Sequence, residues 1–213
     1  MSKKKVEISV VLDRSGSMSS IVNQTISGYN EFMHGQNTVD ADIKVSLVQF
    51  DHEYEVKYEA IPIVEVPELD HKTYVPRGMT ALLDAIGRTI KNTKQRHANM
   101  DKDERPDKVI FVIITDGHEN SSVQYRRGEI FEEINYLEKM MNWEFVYLGA
   151  NQDAIGEAAS FGITREKAMT FDADGLGAVN MFQSLSKSIK HSLSHNRDFA
   201  FAEEDRKKHK SGR

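Results

Sequence analysis

The sequence predicts an α/β fold: a doubly wound, mostly parallel central sheet with one antiparallel edge strand and helices on both faces, a Rossmann-like arrangement. Three observations carry that prediction. Apolar segments of strand length alternate with segments whose apolar residues recur every three or four positions. The strand segment Val6–Leu12 has apolar residues on both faces near its end, and Lys108–Thr115 is the most apolar segment of the chain, as strands covered by helices on both faces are. One strand-to-strand connection alone, Asp51-His52-Glu53, is too short to hold a helix, so a single hairpin is expected.

The elements follow in order. Val6–Leu12 is the first strand, and Val22, Ile26, Tyr29 and Met33 mark one face of the helix after it. Ile43–Phe50 is the second strand. Tyr54, Val56 and Tyr58 then alternate with Glu55, Lys57 and Glu59, the pattern of a half-exposed antiparallel edge strand. Residues 61–79 hold Pro62, Pro67, Pro76 and Gly78 and read as loop. Thr80 opens a helix running to Lys94, with Leu82, Ile86, Ile90 and Thr93 facing inward. Asn99–Asp107 is a charged loop, and Lys108–Thr115, the most apolar segment, is a central strand. Ile130, Ile134, Leu137 and Met141 define a helix over Gly128–Asn142, followed by a strand at Trp143–Leu148. Asn151 is placed to cap a helix over 152–160. Ala168–Phe171 is a short last strand. Asp174 caps a final helix reaching Leu193, with Val179, Phe182, Leu185, Ile189 and Leu193 inward. Residues 1–195 thus form one domain. The tail Asn196–Arg213, with six basic and four acidic residues, is expected to be disordered or a helical extension.

Composition narrows the function. A net charge of −5 gives no basic excess, so nucleic acid is not an expected partner. The chain has no cysteine, which removes disulfides, thiolate metal sites and cysteine nucleophiles and fits a reducing compartment. Lys3-Lys4-Lys5 before an apolar stretch mimics a signal peptide, but Glu7 interrupts that stretch and Asp13 ends it. The longest apolar run, Val109–Ile114, is far below the roughly 20 residues of a membrane span. A cytoplasmic protein without membrane contact is the expectation. Oligomeric state leaves no mark in the sequence.

The chemistry concentrates in three places. Val10-Val11-Leu12-Asp13-Arg14-Ser15-Gly16-Ser17-Met18 runs a strand directly into one carboxylate and two hydroxyls on a tight turn. Gly78-Met79-Thr80 opens a helix, and Thr115-Asp116-Gly117 closes a strand. Sheets of this class bind ligands beyond the carboxyl ends of their strands, where the strand order reverses, so Asp13, Thr80 and Asp116 share one rim. Two carboxylates and three neutral hydroxyls make an oxygen-only, low-charge set suited to a hard divalent cation such as Mg²⁺, which keeps open positions for water. Gly16 is expected to permit the turn, and Gly117 to let the chain leave the strand beside the ion. The competing reading is ordinary turn chemistry: Asp-Arg-Ser-Gly-Ser as a capped turn, Thr80 as an N-cap, Asp116-Gly117 as a turn.

Asp13-x-Ser15-x-Ser17, then Thr80, then Asp116 in a Thr-Asp-Gly turn, resembles the von Willebrand factor A (VWA) domain family and its metal-ion-dependent adhesion site. The resemblance spans roughly residues 5–195. It implies Mg²⁺ or Mn²⁺ held directly by Ser15, Ser17 and Thr80, with one or both aspartates acting through water. It also implies a protein partner that supplies an acidic side chain to the ion. Asp-Arg-Ser-Gly-Ser-Met and Thr-Asp-Gly-His-Glu-Asn are similar in style to intracellular bacterial and phage members, which commonly serve in multiprotein complexes. Around the ion, Arg14, Gly78, Met79, His118, Glu119, Asn151 and Gln152 are the candidate partner-binding rim. Arg14 is expected to point away from the ion or into solvent, where it can attract an acidic partner.

Other chemistries fit less well. An aspartyl phosphatase needs a second carboxylate two residues after the first, where Ser15 stands. No Walker loop and no early G-x-G-x-x-G is present. His118-Glu119 is not a zinc-protease motif, because Ser122 occupies the second histidine position. Ser15 and Ser17 lack a G-x-S-x-G elbow. A metal-assisted hydrolase remains an alternative, with His118 or Glu119 as its base. So does an accessory subunit of an intracellular complex.

Overall fold

The structure is a computed structural model that describes residues 3–150 and 153–208. Six strands form one sheet: β1 (Lys5–Asp13), β2 (Asp42–Phe50), β3 (Tyr54–Pro62), β4 (Lys108–Thr115), β5 (Trp143–Ala150) and β6 (Ala168–Phe171). Their order is β3-β2-β1-β4-β5-β6, and every pair is parallel except β2–β3. The fold is therefore the expected doubly wound sheet with one antiparallel edge.

The interior strands are apolar on both sides because helices cover both sides. All eight residues of β4 and all eight of β5 are buried. One face carries Ile8, Val10, Leu12, Ile110, Val112 and Ile114 against α1 (Val22–Gln36) and α5 (Gly175–His195). The other carries Val11, Phe111, Ile113 and Phe145 against α2 (Leu82–Ala98), α3 (Arg127–Met140) and α4 (Ala154–Ser160). Glu7 lies in this buried sheet and is matched by Arg96 Nη1 and Nη2 at 2.9 and 2.6 Å and by His97 Nε2 at 2.8 Å. Burial would raise its pKa; His97 and Arg96 outweigh that and bring it down to about 2.

Helix entries differ in detail from the expectation. Helix α2 begins two residues after Thr80, and Met141 lies beyond α3 and is exposed. The cap of α4 is Asp153, whose side chain accepts from Gly156 N; Asn151, expected there, lies outside the described residues. Asp174 caps α5 as expected, accepting from Gly177 N at 2.7 Å.

The tail departs most. Phe199 and Phe201 are buried in the α1/α5 core, and Phe199 N donates to Glu144 Oε2 at 2.6 Å. Residues 203–208 form a short helix, α6 (Glu203–Lys208). The stretch after α5 is thus held by the sheet, because two aromatics offset the charged residues around them. Among the described residues, no helix is long and apolar enough to cross a membrane.

Candidate metal centre

Strand order reverses between β1 and β4: the chain winds toward β2 from β1 and toward β5 from β4. Asp13 ends β1 and Asp116 follows β4, so both sit at this switch point. Ser17 Oγ donates to Asp116 Oδ1 at 2.6 Å and lies 3.1 Å from Ser15 Oγ. A Cβ on Gly117 would stand 2.8 Å from Thr80 Oγ1 and 3.6 Å from Ser17 Oγ, which explains glycine there and locates the Thr80 hydroxyl beside the same turn. Ser15, Ser17, Thr80 and Asp116 therefore converge from three loops. Asp13 sits beneath them, fully buried, accepting from Ser15 N at 2.6 Å and from Thr115 Oγ1 at 2.6 Å.

The two carboxylates are poorly solvated. Burial pushes the Asp13 carboxyl up to about 6, against the opposing hydrogen bonds from Thr115 and Ser15; the nearby Asp116 charge adds to the rise. Burial also raises Asp116, while its bond from Ser17 lowers it. Two desolvated carboxylates at a strand-end rim, with three hydroxyls beside them, lack the positive charge that would restore their ordinary acidity. A hard divalent cation supplies that charge, and the donor set fits one. Among the described residues, no group of three or more His, Cys, Asp or Glu is arranged to hold a metal; the candidate set here is two carboxylates and three hydroxyls.

The loops are tied to one another by Asn120, which the sequence offered only as a further rim residue beside His118 and Glu119, and by Tyr74 and Asp84, which it did not single out. Asn120 Oδ1 accepts from Thr80 N at 2.9 Å, and Asn120 N donates to Thr80 O at 3.1 Å. Tyr74, buried, donates its hydroxyl to Asp13 O at 2.7 Å. Asp84 on α2 accepts from the backbone N–H of Val123, Gln124 and Tyr125, each at 2.9 Å, fixing the chain after β4. The signal in each case is a polar residue near a strand end or loop, but its partner lies 39 or more residues away.

Several rim expectations change. Arg14 is not directed to solvent: its side chain is 7% exposed, bonded to Asp51 at 3.0 Å and to Glu55. The carboxylates of the β2–β3 hairpin claim it, so it is not free to attract a partner. Glu119 is also committed. Its oxygens accept from Leu83 N at 2.8 Å, Ser121 N at 2.9 Å, Ser122 N at 2.7 Å and Ser122 Oγ at 2.7 Å, which caps the start of α2. Gly16 has no positive φ; the left-handed residue is Gly78, at φ 69°, whose carbonyl accepts from Gly16 N at 3.2 Å. Met79 and His118 are exposed on the rim. Asn151 and Gln152 lie outside the described residues.

Sequence comparison finds no matching family model and no matching curated protein. Solved structures do match. Proximal thread matrix protein 1 from the mussel byssus is 14% identical with a TM-score of 0.61, over 90% of this chain and 47% of that one. The chain has the von Willebrand factor type A fold. The ArnB paralog VWA2 from Sulfolobus acidocaldarius is 18% identical with a TM-score of 0.55, over 88% of this chain and 46% of that one. Manganese-loaded TRAP protein from Plasmodium vivax is 16% identical with a TM-score of 0.55, over 87% and 74%. The mussel protein also has a structure with zinc in its MIDAS motif, 16% identical with a TM-score of 0.57, over 91% and 46%. The chain spans about half the length of the first two of these proteins, and the likeness to all of them is one of fold.

Proposed function

We propose that this VWA-fold protein is a divalent-metal-dependent protein-binding module, in which Mg²⁺ or Mn²⁺ at the β1/β4 switch point receives a carboxylate from a protein partner. The observation that carries this is the convergence of Ser15, Ser17, Thr80 and Asp116 around one point, with desolvated Asp13 beneath. Ser15, Ser17 and Thr80 would hold the ion, and Asp13 and Asp116 would balance its charge. The bound ion would supply a Lewis-acidic position for an incoming carboxylate. Two structural neighbours, the zinc-occupied mussel protein and the manganese-loaded TRAP protein, carry a transition metal, which supports a divalent ion in this fold. Exposed Met79 and His118 flank the opening and would touch the partner.

The hydrolase alternative loses one of its two bases, because Glu119 caps α2. His118 is the base left to it. The binding reading also accommodates membership of a larger intracellular complex, as an accessory subunit.

Thermal unfolding with and without metal tests the ion. Saturation at about 100 times Kd stabilises a protein by about 2.7 kcal/mol, which for a chain of this size raises Tm by about 5–11 °C. The rise should vanish in Asp116→Ala. Affinity capture from the native lysate in Mg²⁺ and in EDTA, with wild type and Asp116→Ala in parallel, tests the partner. A partner lost in EDTA and in the variant supports the module; one retained in both refutes it.

A further inference from the structure

Beside the metal loops lies a buried carboxylate that belongs to none of them. Asp51 follows β2, its side chain is fully buried, and it is outside the ligand set. Its Oδ2 accepts from Arg14 Nε at 3.0 Å and from Arg77 Nε at 2.9 Å. Its Oδ1 accepts from Glu53 N at 2.6 Å, and its carbonyl accepts from Ala81 N at 2.9 Å. Arg14 is the residue between Asp13 and Ser15. Arg77 and Ala81 bracket Thr80. One residue thus grips the loop that presents the two serines and the loop that presents the threonine.

The backbone repeats the connection. Arg77 N donates to Arg14 O at 2.7 Å, and Gly16 N donates to Gly78 O at 3.2 Å. These bonds set how far apart the loops lie, while the Arg14–Asp51–Arg77 bridge resists their rotation. The guanidiniums reach Glu55 and Glu53 with their outer nitrogens, and Lys57, at 2.9 Å from Glu55, brings the cluster to three cations against the three carboxylates Asp51, Glu53 and Glu55. Ser15 and Ser17 on one side and Thr80 on the other must meet a single small ion at about 2.0–2.1 Å with little tolerance. A rigid tie between their loops is therefore worth binding energy, because the loops need not be ordered when the ion arrives.

We propose that Asp51 is a positioning residue of the metal site, holding the Ser15/Ser17 loop and the Thr80 loop in register through Arg14 and Arg77. The inference rests on the metal reading above. Its test uses Mn²⁺ as the probe, titrated calorimetrically into the full chain, with Tm measured in EDTA for each variant. Asp51→Asn keeps the shape and removes the charge; it should weaken Mn²⁺ binding about 10- to 100-fold, as loss of a residue supporting metal ligands does. Arg77 is half-exposed, so Arg77→Ala should fold, and it should weaken binding about two- to fivefold.

The double variant should bind no more weakly than Asp51→Asn alone, because Arg77 acts through Asp51. Ile134→Val, on the buried face of α3, controls for lost stability and should lower Tm with no change in affinity. Affinity within about twofold of wild type in Asp51→Asn, fully additive losses in the double variant, or an equal loss in Ile134→Val would each overturn the inference. If Asp51→Asn does not fold, unchanged affinity in Arg77→Ala overturns it. Wild type that binds no Mn²⁺ sinks the metal reading and this inference together, whereas binding abolished by Asp116→Ala but untouched by Asp51→Asn sinks this inference alone.

Discussion

Thr115 donates its hydroxyl to Asp13 Oδ2 at 2.6 Å, and both residues are fully buried. The bond joins the ends of β1 and β4, the two strands between which the sheet reverses its winding. It gives Asp13 Oδ2 a neutral donor, while Ser15 N donates to Oδ1, so both oxygens of the carboxylate are held by the protein itself. Thr115→Val keeps the shape and removes the donor. A buried carboxylate deprived of a hydrogen bond costs about 1.5–3 kcal/mol. Urea unfolding at pH 7 in EDTA should show a loss of that size, and an unchanged midpoint would refute this role.

The Asp13 carboxyl, raised to about 6 by burial, makes the metal-free protein pH-sensitive with a definite sign. Between about pH 4 and 6 the native state keeps a proton on Asp13 that the unfolded chain has lost. Stability contributed by this group therefore falls as pH rises through that window, by about 3 kcal/mol in all. Asp13→Asn cannot titrate, and the amide can still accept from Ser15 N and donate to the Thr115 hydroxyl. In EDTA the variant should gain on wild type by about 2 kcal/mol between pH 4 and 7. In saturating Mg²⁺ the advantage should shrink or reverse, since the variant forfeits the charge that the ion needs. A stability difference flat with pH in EDTA would rule this out.

Glu119 is structurally committed, which leaves His118 as the base of the hydrolytic reading. Its oxygens satisfy Leu83 N at the start of α2, and Ser121 N and Ser122 N in the following loop. Glu119→Ala should cost about 1–2 kcal/mol, as loss of a helix cap does. His118→Ala, at an exposed position, should change stability by less than about 0.5 kcal/mol. Chemical denaturation of the two variants checks both values. Equal, negligible effects would mean that Glu119 is free after all.

Much of the fold was legible because parallel sheets print their burial on the sequence. β4 is an unbroken apolar run from Val109 to Ile114 and β5 is interrupted only by Glu144, since both of their faces are covered, whereas β3 alternates in sequence but not in burial, and its Val56 is exposed. The metal loops were legible too, as hydroxyls and carboxylates at strand ends. The ties between the loops were not. Arg14 read as a charge pointing away from the ion or into solvent, without a partner, because Asp51 lies 37 residues on and is brought near only by β1 pairing with β2. Glu119 read as a rim acid because the helix start that it caps is 36 residues earlier. Phe199 and Phe201 were passed over within a charged tail, although two aromatics one residue apart, each now buried, are the local sign of a segment that packs.

That segment has one anchor that can be cut. Lys108 and Glu144 form an ion pair of 2.5 Å in which both side chains are 4% exposed. Lys108 Nζ also donates to Arg197 O at 3.2 Å, and Glu144 Oε2 accepts from Phe199 N at 2.6 Å. The pair thus holds the chain after α5 against the starts of β4 and β5. Removing one partner strands the other charge in a dry site, which costs about 3–5 kcal/mol. Replacing both by well-packed apolar residues is often neutral in comparison. Glu144→Ala should therefore lose about 3–5 kcal/mol in urea unfolding, and Lys108→Met/Glu144→Leu should recover much of it. The single variant should also speed trypsin cleavage after Arg197, because Phe199 N loses its acceptor on Glu144 and the segment loosens. If the double variant is no more stable than the single one, the loss comes from the missing tail contacts and not from the unpaired lysine.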